Sequence, residues 1–555
     1  MTLTLRSCVA LILHVLVWMS TRICADDRYV IVSTSYGQVR GVTVDDGTEP
    51  KVNKFMGIPF AKSTAGSRRF KPPEPPEKWN VTLDALTQGH ECYQPMFPFF
   101  DGIMKLSEDC LNLNVYVPQG GGLQLPVMVW IHGGGYISGA GWTYNAPSLA
   151  RKGVVVVTIN YRLGVFGFLS TEDDVIPGNF GLLDQIMALK WVKANIASFG
   201  GDPNRVTIFG ESAGSSSVSI LTLSPLARGL FTKAIMQSGS SLTPWAITLS
   251  TSSLPPKKIA SLIGAKVNCS SGNSSELLSC LQDVGALELH DASMEVQEET
   301  GIKMLLTPCV ETTFGVLPHH PHKLLKSGQF NYVDTIHGFN SDEGGEGNKN
   351  GTSRAEFRQY FRNFFDAYKI EEVDSLLDAV EQAYLYNTTD RQDINKKLSA
   401  ARTDFYHAAA TYLEITSHSE SASERKHYLY EFSYRKSISD LPSWVRAIHA
   451  DDIPFLFHDF VYPFWQSSQP PSRDDLLVSE QLQTLWTNFA KTADPTTSLP
   501  VGGVTWQPFS DWSKKRLKID SQSVMEGYDG PAGLYVYMKF LELVEKTLNT
   551  DVIVG

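Results

Sequence analysis

The sequence predicts an α/β fold in which a large, mostly parallel sheet carries helices on both faces. Apolar, strand-like runs recur along the chain, and stretches with helical periodicity separate several of them. Within residues 181–195, Leu182, Ile186 and Leu189 recur at helical spacing. Alternation of this kind is typical of parallel sheets covered by helices. The strand-like runs occupy residues 29–34, 127–131, 154–160, 206–209, 234–236, 333–336 and 428–432.

A single domain is expected to follow a short leader. The 555 residues are 42% hydrophobic, which is enough for a large core. No repeat and no long glycine-, serine- or proline-rich linker divides the chain. Residues 1–25 are typical of a signal peptide, because Arg6 precedes an apolar stretch over residues 8–19 that is too short for a membrane span. We therefore expect one domain over residues 26–555 and a secreted, extracellular protein.

The charge balance excludes several classes of partner. The leader holds two of the 48 basic residues, Arg6 and Arg22, so 46 remain against 59 acidic residues, a formal charge of −13. An acidic surface disfavours nucleic acids and anionic membranes. No apolar run beyond the leader reaches the length of about 18 residues that a membrane span needs. We expect no nucleic acid partner, no membrane span, no metal and no cofactor.

The most informative motif is a glycine-flanked serine directly after the strand-like run 206–209. Residues 210–214 follow the pattern Gly-x-Ser-x-Gly. A side chain at the tip of a sharp strand-to-helix turn needs glycine on both sides, because a Cβ at Gly210 or Gly214 would collide with the facing backbone. An ordinary glycine turn is the alternative. In this context the motif predicts that Ser212 presents a nucleophilic hydroxyl above the sheet.

A glycine run follows the strand-like run 127–131. His132 precedes three consecutive glycines there. Acyl transfer passes through a tetrahedral oxyanion, which needs backbone N–H donors fixed about 3 Å away before the charge develops. We expect the amides of Gly134 and Gly135, together with that of Ala213 after the serine, to form an oxyanion hole. A flexible loop is the alternative.

A serine nucleophile needs a base, and the base needs an orienting carboxylate. After such a turn the acid precedes the histidine along the chain. His449 is the candidate base, because it lies on a short loop that leads into an apolar segment. Asp342 and Glu343 both follow the run 333–336, and composition does not choose between them. The histidines downstream of Ser212 are His290, His319, His320, His322, His337, His407, His418, His427, His449 and His458.

In its motifs and their order, the chain resembles the type-B carboxylesterase and cholinesterase family of α/β-hydrolases. The matching segments, besides the glycine run and the serine motif, are residues 37–41, 55–61, 107–115, 160–164, 178–185 and 200–203. The resemblance implies an α/β-hydrolase fold in which helical insertions at residues 350–420 form one wall of an active-site gorge. It also implies a serine esterase, with a catalytic triad of Ser212, Glu343 and His449. Ser238 matches a hydroxyl that braces the acid in this family.

The resemblance also bears on the cysteines. Five remain beyond the leader, and the family has the pairs Cys92–Cys110 and Cys269–Cys280, which leaves Cys309 as a buried, inert thiol. Disulfides are typical of an oxidising compartment. Five Asn-x-Ser/Thr sites are consistent with glycosylated surface loops: Asn80, Asn268, Asn273, Asn350 and Asn387.

Differences from the family's sequence pattern narrow the range of substrates that we expect. The loop between Cys92 and Cys110 lacks the tryptophan that holds choline in cholinesterases, and carries Phe97, Phe99 and Phe100 instead. By alignment with the family, Trp245, Ile302 and Met304 belong to the acyl pocket, the last two in place of aromatic residues that narrow it. We therefore expect small-molecule esters with longer or branched acyl groups.

Other functions stay open at this point. The chain could be a choline ester hydrolase or a lipase for long-chain glycerides. It could also be a non-catalytic adhesion protein of the neuroligin kind, although such relatives usually lose the serine and carry a membrane span. Family members are often monomers or dimers, so a monomer or homodimer is expected.

Overall fold

The computed structural model describes residues 28–96, 102–269, 272–457, 470–497 and 500–554. Three predictions fall outside the described residues. These are the signal peptide at residues 1–25, the apolar wall formed by Phe97, Phe99 and Phe100, and the alternative histidine His458.

The described chain forms one sheet of thirteen strands, in the order β1-β2-β3-β5-β7-β6-β8-β9-β10-β11-β12-β13, with β4 paired to β2. The block from β7 to β12 is parallel, and antiparallel strands flank it on both sides. The strands are β1 Tyr29–Ser33, β2 Gln38–Val44, β3 Val52–Pro59, β4 Leu83–Asp84, β5 Asn112–Pro118, β6 Leu125–Ile131, β7 Val155–Ile159, β8 Gly201–Glu211, β9 Lys233–Gln237, β10 Asp334–Asn340, β11 His427–Phe432, β12 Lys515–Ile519 and β13 Val524–Gly527.

Helices connect the parallel strands, and a group of them is inserted between β10 and β11. The helices are α1 Pro147–Arg151, α2 Gly164–Phe168, α3 Phe180–Asn195, α4 Ala213–Leu223, α5 Pro256–Lys266, α6 Ser274–Asp283, α7 Ala286–Thr300, α8 Pro321–Lys326, α9 Arg354–Asp366, α10 Val373–Leu385, α11 Arg391–Thr403, α12 Ala409–Ser421, α13 Ile453–Leu456, α14 Arg473–Thr492 and α15 Leu534–Val554. A π-helical turn, Asp404–Ala408, joins α11 to α12.

The sheet has a hydrophobic core on each face, as the sequence predicts. Side chains alternate across a strand, so Val129 of β6 belongs to the larger core together with Leu182 of α3, whereas its neighbour Trp130 belongs to the other core together with Trp486 of α14. The insertion also contributes to the larger core, through residues such as Phe361 of α9. Helices therefore cover both faces of the sheet.

Both expected disulfides are present. Cys92 is bonded to Cys110 and Cys269 to Cys280, and Cys309 is a buried free thiol whose pKa burial raises to about 12. All five asparagines of the Asn-x-Ser/Thr sites are exposed. In the part of the chain that the structure describes, none of the helices combines the length and apolarity required to cross a bilayer.

Candidate active site

Ser212 lies at a sharp turn between β8 and α4. Its backbone has φ 57° and ψ −125°, a conformation that non-glycine residues rarely adopt. A Cβ at Gly210 would lie 2.5 Å from the carbonyl oxygen of Ile131 on the neighbouring strand, and one at Gly214 would lie 2.0 Å from the same oxygen. Both glycines are therefore required by close backbone approach, as the sequence motif predicts.

The structure brings Ser212, Glu343 and His449 together. Nε2 of His449 lies 2.9 Å from Oγ of Ser212, and its Nδ1 lies 2.6 Å from Oε2 of Glu343. A carboxylate only accepts, so Nδ1–H donates to Glu343 and Nε2 accepts from the serine hydroxyl. The three residues follow the ends of β8, β10 and β11. Parallel strands place these ends at one edge of the sheet, although 237 residues separate the serine from the histidine.

Asp342, the alternative acid, contacts the histidine loop instead of the imidazole. Its backbone N–H donates to the carbonyl of Ala447 at 2.8 Å, and its carboxylate accepts from the amide of Arg446 at 3.0 Å. The Nδ2 of Asn340 donates to the carbonyl of Ile448 at 2.7 Å. These bonds fix the loop that carries His449.

The carboxylate of Glu343 is buried, and its side chain is 0% exposed. Oε1 accepts from the amide of Asn340 at 2.8 Å, while Oε2 faces His449 and, at 3.9 Å, Nε2 of His407. Burial opposes ionisation, but the protonated forms of the two imidazoles and the amide outweigh it and hold the pKa of Glu343 below its usual range.

Ser238 differs from its expected role. Its hydroxyl has no hydrogen-bond partner among the described residues, so it does not brace Glu343. Its carbonyl instead accepts from Nδ1–H of His407 at 2.9 Å. Ser238 therefore positions a second histidine next to the acid.

Glu211, directly before the serine, is a second carboxylate at the site. Its Oε1 lies 3.3 Å from Nε2 of His449, and burial raises the pKa of Glu211 to about 8. Burial alone would lower the pKa of His449, but Glu211 and Glu343 outweigh it and raise that pKa above its ordinary value. The imidazole is therefore flanked by carboxyl groups on both sides, and the ionised forms of these groups stabilise its protonated form.

The glycine run packs against the serine. A Cβ at Gly133 would lie 3.0 Å from Cβ of Ser212, and Gly134 and Gly135 have φ of 103° and 63°, in the region that favours glycine. Ala213 is the first residue of α4, so its N–H has no acceptor within the helix.

The three residues assigned to the acyl pocket lie in different surroundings. Met304 borders the glycine run, because a Cβ at Gly135 would lie 3.2 Å from its Cγ. The ring of Trp245 is 5.9 Å from that of His407. Ile302 is 37% exposed and lines a surface cavity of about 520 Å³ beside α7.

Sequence reasoning assigned no role to Glu211 or His407. Glu211 occupies a variable position of the serine motif, directly before Ser212, so the sequence itself could have drawn attention to it. His407 carries no such signal: it lies on the π-helical turn of the insertion, and only the folded chain brings its ring to 4.9 Å from that of His449.

Comparison with known proteins agrees with this arrangement. Residues 28–531 match the carboxylesterase family. The chain is 36% identical over 528 residues to pyrethroid hydrolase Ces2e of Rattus norvegicus, covering 90% of this chain and 88% of that protein. It is 35% identical over 526 residues to cocaine esterase of Oryctolagus cuniculus, covering 90% and 93%.

A relative of another kind is equally similar. The chain is 34% identical over 560 residues to neuroligin-2 of Mus musculus, covering 89% of this chain but only 65% of the length of that protein. The match to the family extends over nearly the whole chain. The chain therefore belongs to the carboxylesterase family, and its sheet and helices form an α/β-hydrolase fold.

Proposed function

We propose that this protein is a serine esterase that cleaves small-molecule carboxylic esters into an alcohol and a carboxylate. One observation carries the proposal: the imidazole of His449 bridges the hydroxyl of Ser212 and the buried carboxylate of Glu343, at 2.9 and 2.6 Å. Proton transfer in general base catalysis needs this contact. The similarity to a pyrethroid hydrolase and a cocaine esterase supports the same activity.

In the proposed acylation step, Ser212 attacks the ester carbonyl while Nε2 of His449 takes its proton. Glu343 holds the tautomer in which Nδ1 carries hydrogen, and stabilises the imidazolium that forms. The oxyanion accepts hydrogen bonds from the amides of Gly134, Gly135 and Ala213. The imidazolium then donates its proton to the departing alcohol, which leaves an acyl-serine.

Deacylation repeats these steps with water as the nucleophile. His449 takes a proton from water, the hydroxide adds to the acyl carbon, and the collapse of the second oxyanion returns the proton to Ser212. Glu211 adds a second carboxyl group 3.3 Å from the imidazole, and the ionised form of this group stabilises the imidazolium in both transition states. All of these steps are carried by side chains and amides of this chain.

The experiment that tests the proposal combines a covalent probe with a substrate assay. A fluorophosphonate should label the protein at Ser212, and p-nitrophenyl butyrate should be turned over. Ser212→Ala should abolish labelling and lower kcat by several powers of ten, because the nucleophile is lost. Ser215→Ala, one turn into the same helix, is the matched control. A natively folded protein that neither reacts with the probe nor hydrolyses any ester would overturn the proposal.

A non-catalytic adhesion protein is the second candidate, since neuroligin-2 is 34% identical to this chain. The contact between Ser212 and His449 favours the esterase, because binding another protein does not require an activated serine. The labelling experiment separates the two candidates, since only the esterase reacts with the fluorophosphonate.

The proposal also concerns which acyl groups of the ester the enzyme accepts. Met304 lies beside Gly135 and, by alignment with the family, replaces an aromatic residue that narrows the pocket, so longer or branched acyl groups should be accepted. With p-nitrophenyl acetate, butyrate and octanoate compared side by side, kcat/KM for butyrate should at least equal that for acetate. Met304→Phe should shift the preference toward acetate. A strict acetate preference of the unmodified enzyme would contradict this expectation.

The remaining expectations are proposed on the same basis. Both disulfides are consistent with secretion, and the exposed asparagines at the five sequence sites are open to glycosylation. We propose a single domain over residues 26–555 that acts as a monomer or homodimer.

A further inference from the structure

His407 is a second imidazole directed at the carboxylate of Glu343. It lies on the π-helical turn Asp404–Ala408, a rare conformation that occurs frequently at functional sites. Its Nε2 lies 3.9 Å from Oε2 of Glu343, which is too long for a hydrogen bond. The ring packs between those of Trp245 and His449, at 5.9 and 4.9 Å.

The tautomer of His407 follows from its other nitrogen. Nδ1 lies 2.9 Å from the carbonyl oxygen of Ser238, and a carbonyl only accepts, so Nδ1 carries the hydrogen. Nε2 of the neutral ring therefore presents a lone pair toward a carboxylate, with no proton between them.

This arrangement is that of a metal ligand. Histidines that bind metals usually donate their second N–H to a carbonyl or carboxylate, which fixes the coordinating nitrogen. A His₂Glu set is an established zinc site, and ligand atoms about 2.0–2.1 Å from a tetrahedral zinc ion lie about 3.3 Å apart. Here the ligand atoms of Glu343, His407 and His449 lie within 4.8 Å of one another, with the shortest pair at 2.6 Å.

We propose that Glu343, His407 and His449 form a Zn²⁺ site whose occupation inhibits the enzyme. The ion takes the place of the proton between Nδ1 of His449 and Glu343, and Nε2 of His407 completes three protein ligands. A water occupies the fourth position, as in open zinc sites. A neutral His449 moves its hydrogen from Nδ1 to Nε2 when zinc binds, whereas a protonated His449 releases the Nδ1 proton to solvent and keeps the hydrogen on Nε2.

Inhibition follows from the loss of the triad contact. With zinc on Nδ1, the imidazole no longer donates to Glu343. Nε2 then carries the hydrogen of the ring, so it cannot take the proton of Ser212. Substrate binding to the glycine run is not blocked directly, so kcat should fall more than KM rises. The inhibition part of this inference rests on the proposed esterase function, whereas the binding part does not.

Binding is tested without activity. In Ser212→Ala, which keeps all three ligands, Co²⁺ should give the visible absorption of a four-coordinate ion, and equimolar Zn²⁺ should displace it. The double variants Ser212→Ala/His407→Phe and Ser212→Ala/His407→Gln should lose at least about 100-fold in Zn²⁺ affinity by calorimetry, since they lack one ligand. His322→Gln in the same background, which removes a histidine beside Glu545, is the control for surface binding and should change nothing.

Inhibition is tested with the unmodified enzyme and p-nitrophenyl butyrate in zinc-buffered solutions. The proposal predicts saturable inhibition that EDTA reverses. The variants His407→Phe and His407→Gln should lose this inhibition when the rate of each is compared with its own rate without zinc. Two variants are used so that one folding failure does not end the test. The proposal is overturned if these variants are as sensitive to zinc as the unmodified enzyme. It is also overturned if Ser212→Ala binds neither Co²⁺ nor Zn²⁺. Zinc binding by a protein without esterase activity would refute the proposed function and leave the metal site standing.

Discussion

At the scale of single residues, Glu211 has a strong electrostatic effect on His449, the proposed base. Its carboxylate is 3.3 Å from Nε2 of His449 and helps to raise the pKa of that imidazole. Because the base must be unprotonated, activity rises with pH through this pKa. Glu211→Gln removes a carboxyl group whose ionised form stabilises the imidazolium, so the acid limb of kcat/KM should move to lower pH by about one to two units. The pH–rate profile with p-nitrophenyl butyrate measures this shift.

The charge-preserving variant is the control for that prediction. Glu211→Asp keeps the carboxylate, so its acid limb should stay closer to that of the unmodified enzyme than the limb of Glu211→Gln. If the two variants have the same limb, the charge at this position does not control the histidine. A loss of rate without a shift would indicate that Glu211 acts only in packing.

Site residues that lie in a distinctive local sequence could be predicted from the sequence. Residues that only the tertiary structure brings to the site could not. Ser212 is flanked by glycines, so its turn could be inferred from local sterics. Asp342 and Glu343 are neighbours of the same charge, and only the direction of each side chain separates them. His407 reaches Glu343 from an insertion in the fold, and no local pattern predicts that contact.

Among the structural elements, one buried ion pair fixes α3 to the loop after β7. The guanidinium of Arg162 donates two hydrogen bonds of 2.7 Å to the carboxylate of Asp184, and both side chains are buried. Asp184→Asn leaves a buried guanidinium without its counter-charge, so we expect a loss of about 3–5 kcal/mol in the free energy of unfolding. Urea denaturation of the unmodified protein and the variant measures it.

An exposed pair of the same kind serves as the reference. Arg40 and Asp84 form a 2.6 Å contact at the edge of the sheet, with side chains 40% and 53% exposed. Asp84→Asn should have a much smaller effect, because solvent screens the interaction. If both variants cost the same, burial does not determine the strength of the Arg162 pair.

The predicted elements agree best with the structure in the centre of the sheet. The buried strands β6, β7 and β9 are continuous apolar runs, and the sequence places each within one or two residues of its observed ends. The flanking strands β3 and β5 were not predicted. Both are interrupted by polar residues such as Asn53 and Asn114, and the latter bonds to Thr158 of a neighbouring strand at 2.9 Å. Such polar residues are compatible with a buried strand only because the neighbouring strands supply their hydrogen-bond partners, and the sequence alone does not reveal those partners.

Across the whole molecule, buried histidines link folding to pH. His337 on β10, His418 on α12 and His427 on β11 meet where the inserted helices pack on the sheet, with ring centroids 5.4 and 5.7 Å apart. Neither ring nitrogen of His418 has a hydrogen-bond partner among the described residues, and Glu414 faces it at 3.9 Å. Burial lowers the pKa of His418 to about 3. The folded protein therefore keeps this ring neutral well below the pH at which the unfolded chain protonates it.

His418→Phe tests this linkage through the stability of the whole protein. The unfolded chain takes up a proton near pH 6.5 that the folded protein refuses, so wild-type stability falls by about 1.4 kcal/mol per pH unit below that value. The variant has no imidazole at this position, so it lacks this pH-dependent loss of stability, and it loses no hydrogen bond. Relative to wild type, it should therefore gain about 2 kcal/mol between pH 7.5 and pH 5.0 in urea denaturation. His319→Asn, at an exposed position, is measured alongside as the control for loss of a histidine. The prediction is wrong if His418→Phe differs from wild type in the free energy of unfolding by the same amount at both pH values. In that case the folded protein protonates His418 as readily as the unfolded chain does, and another group accounts for any loss of stability in acid.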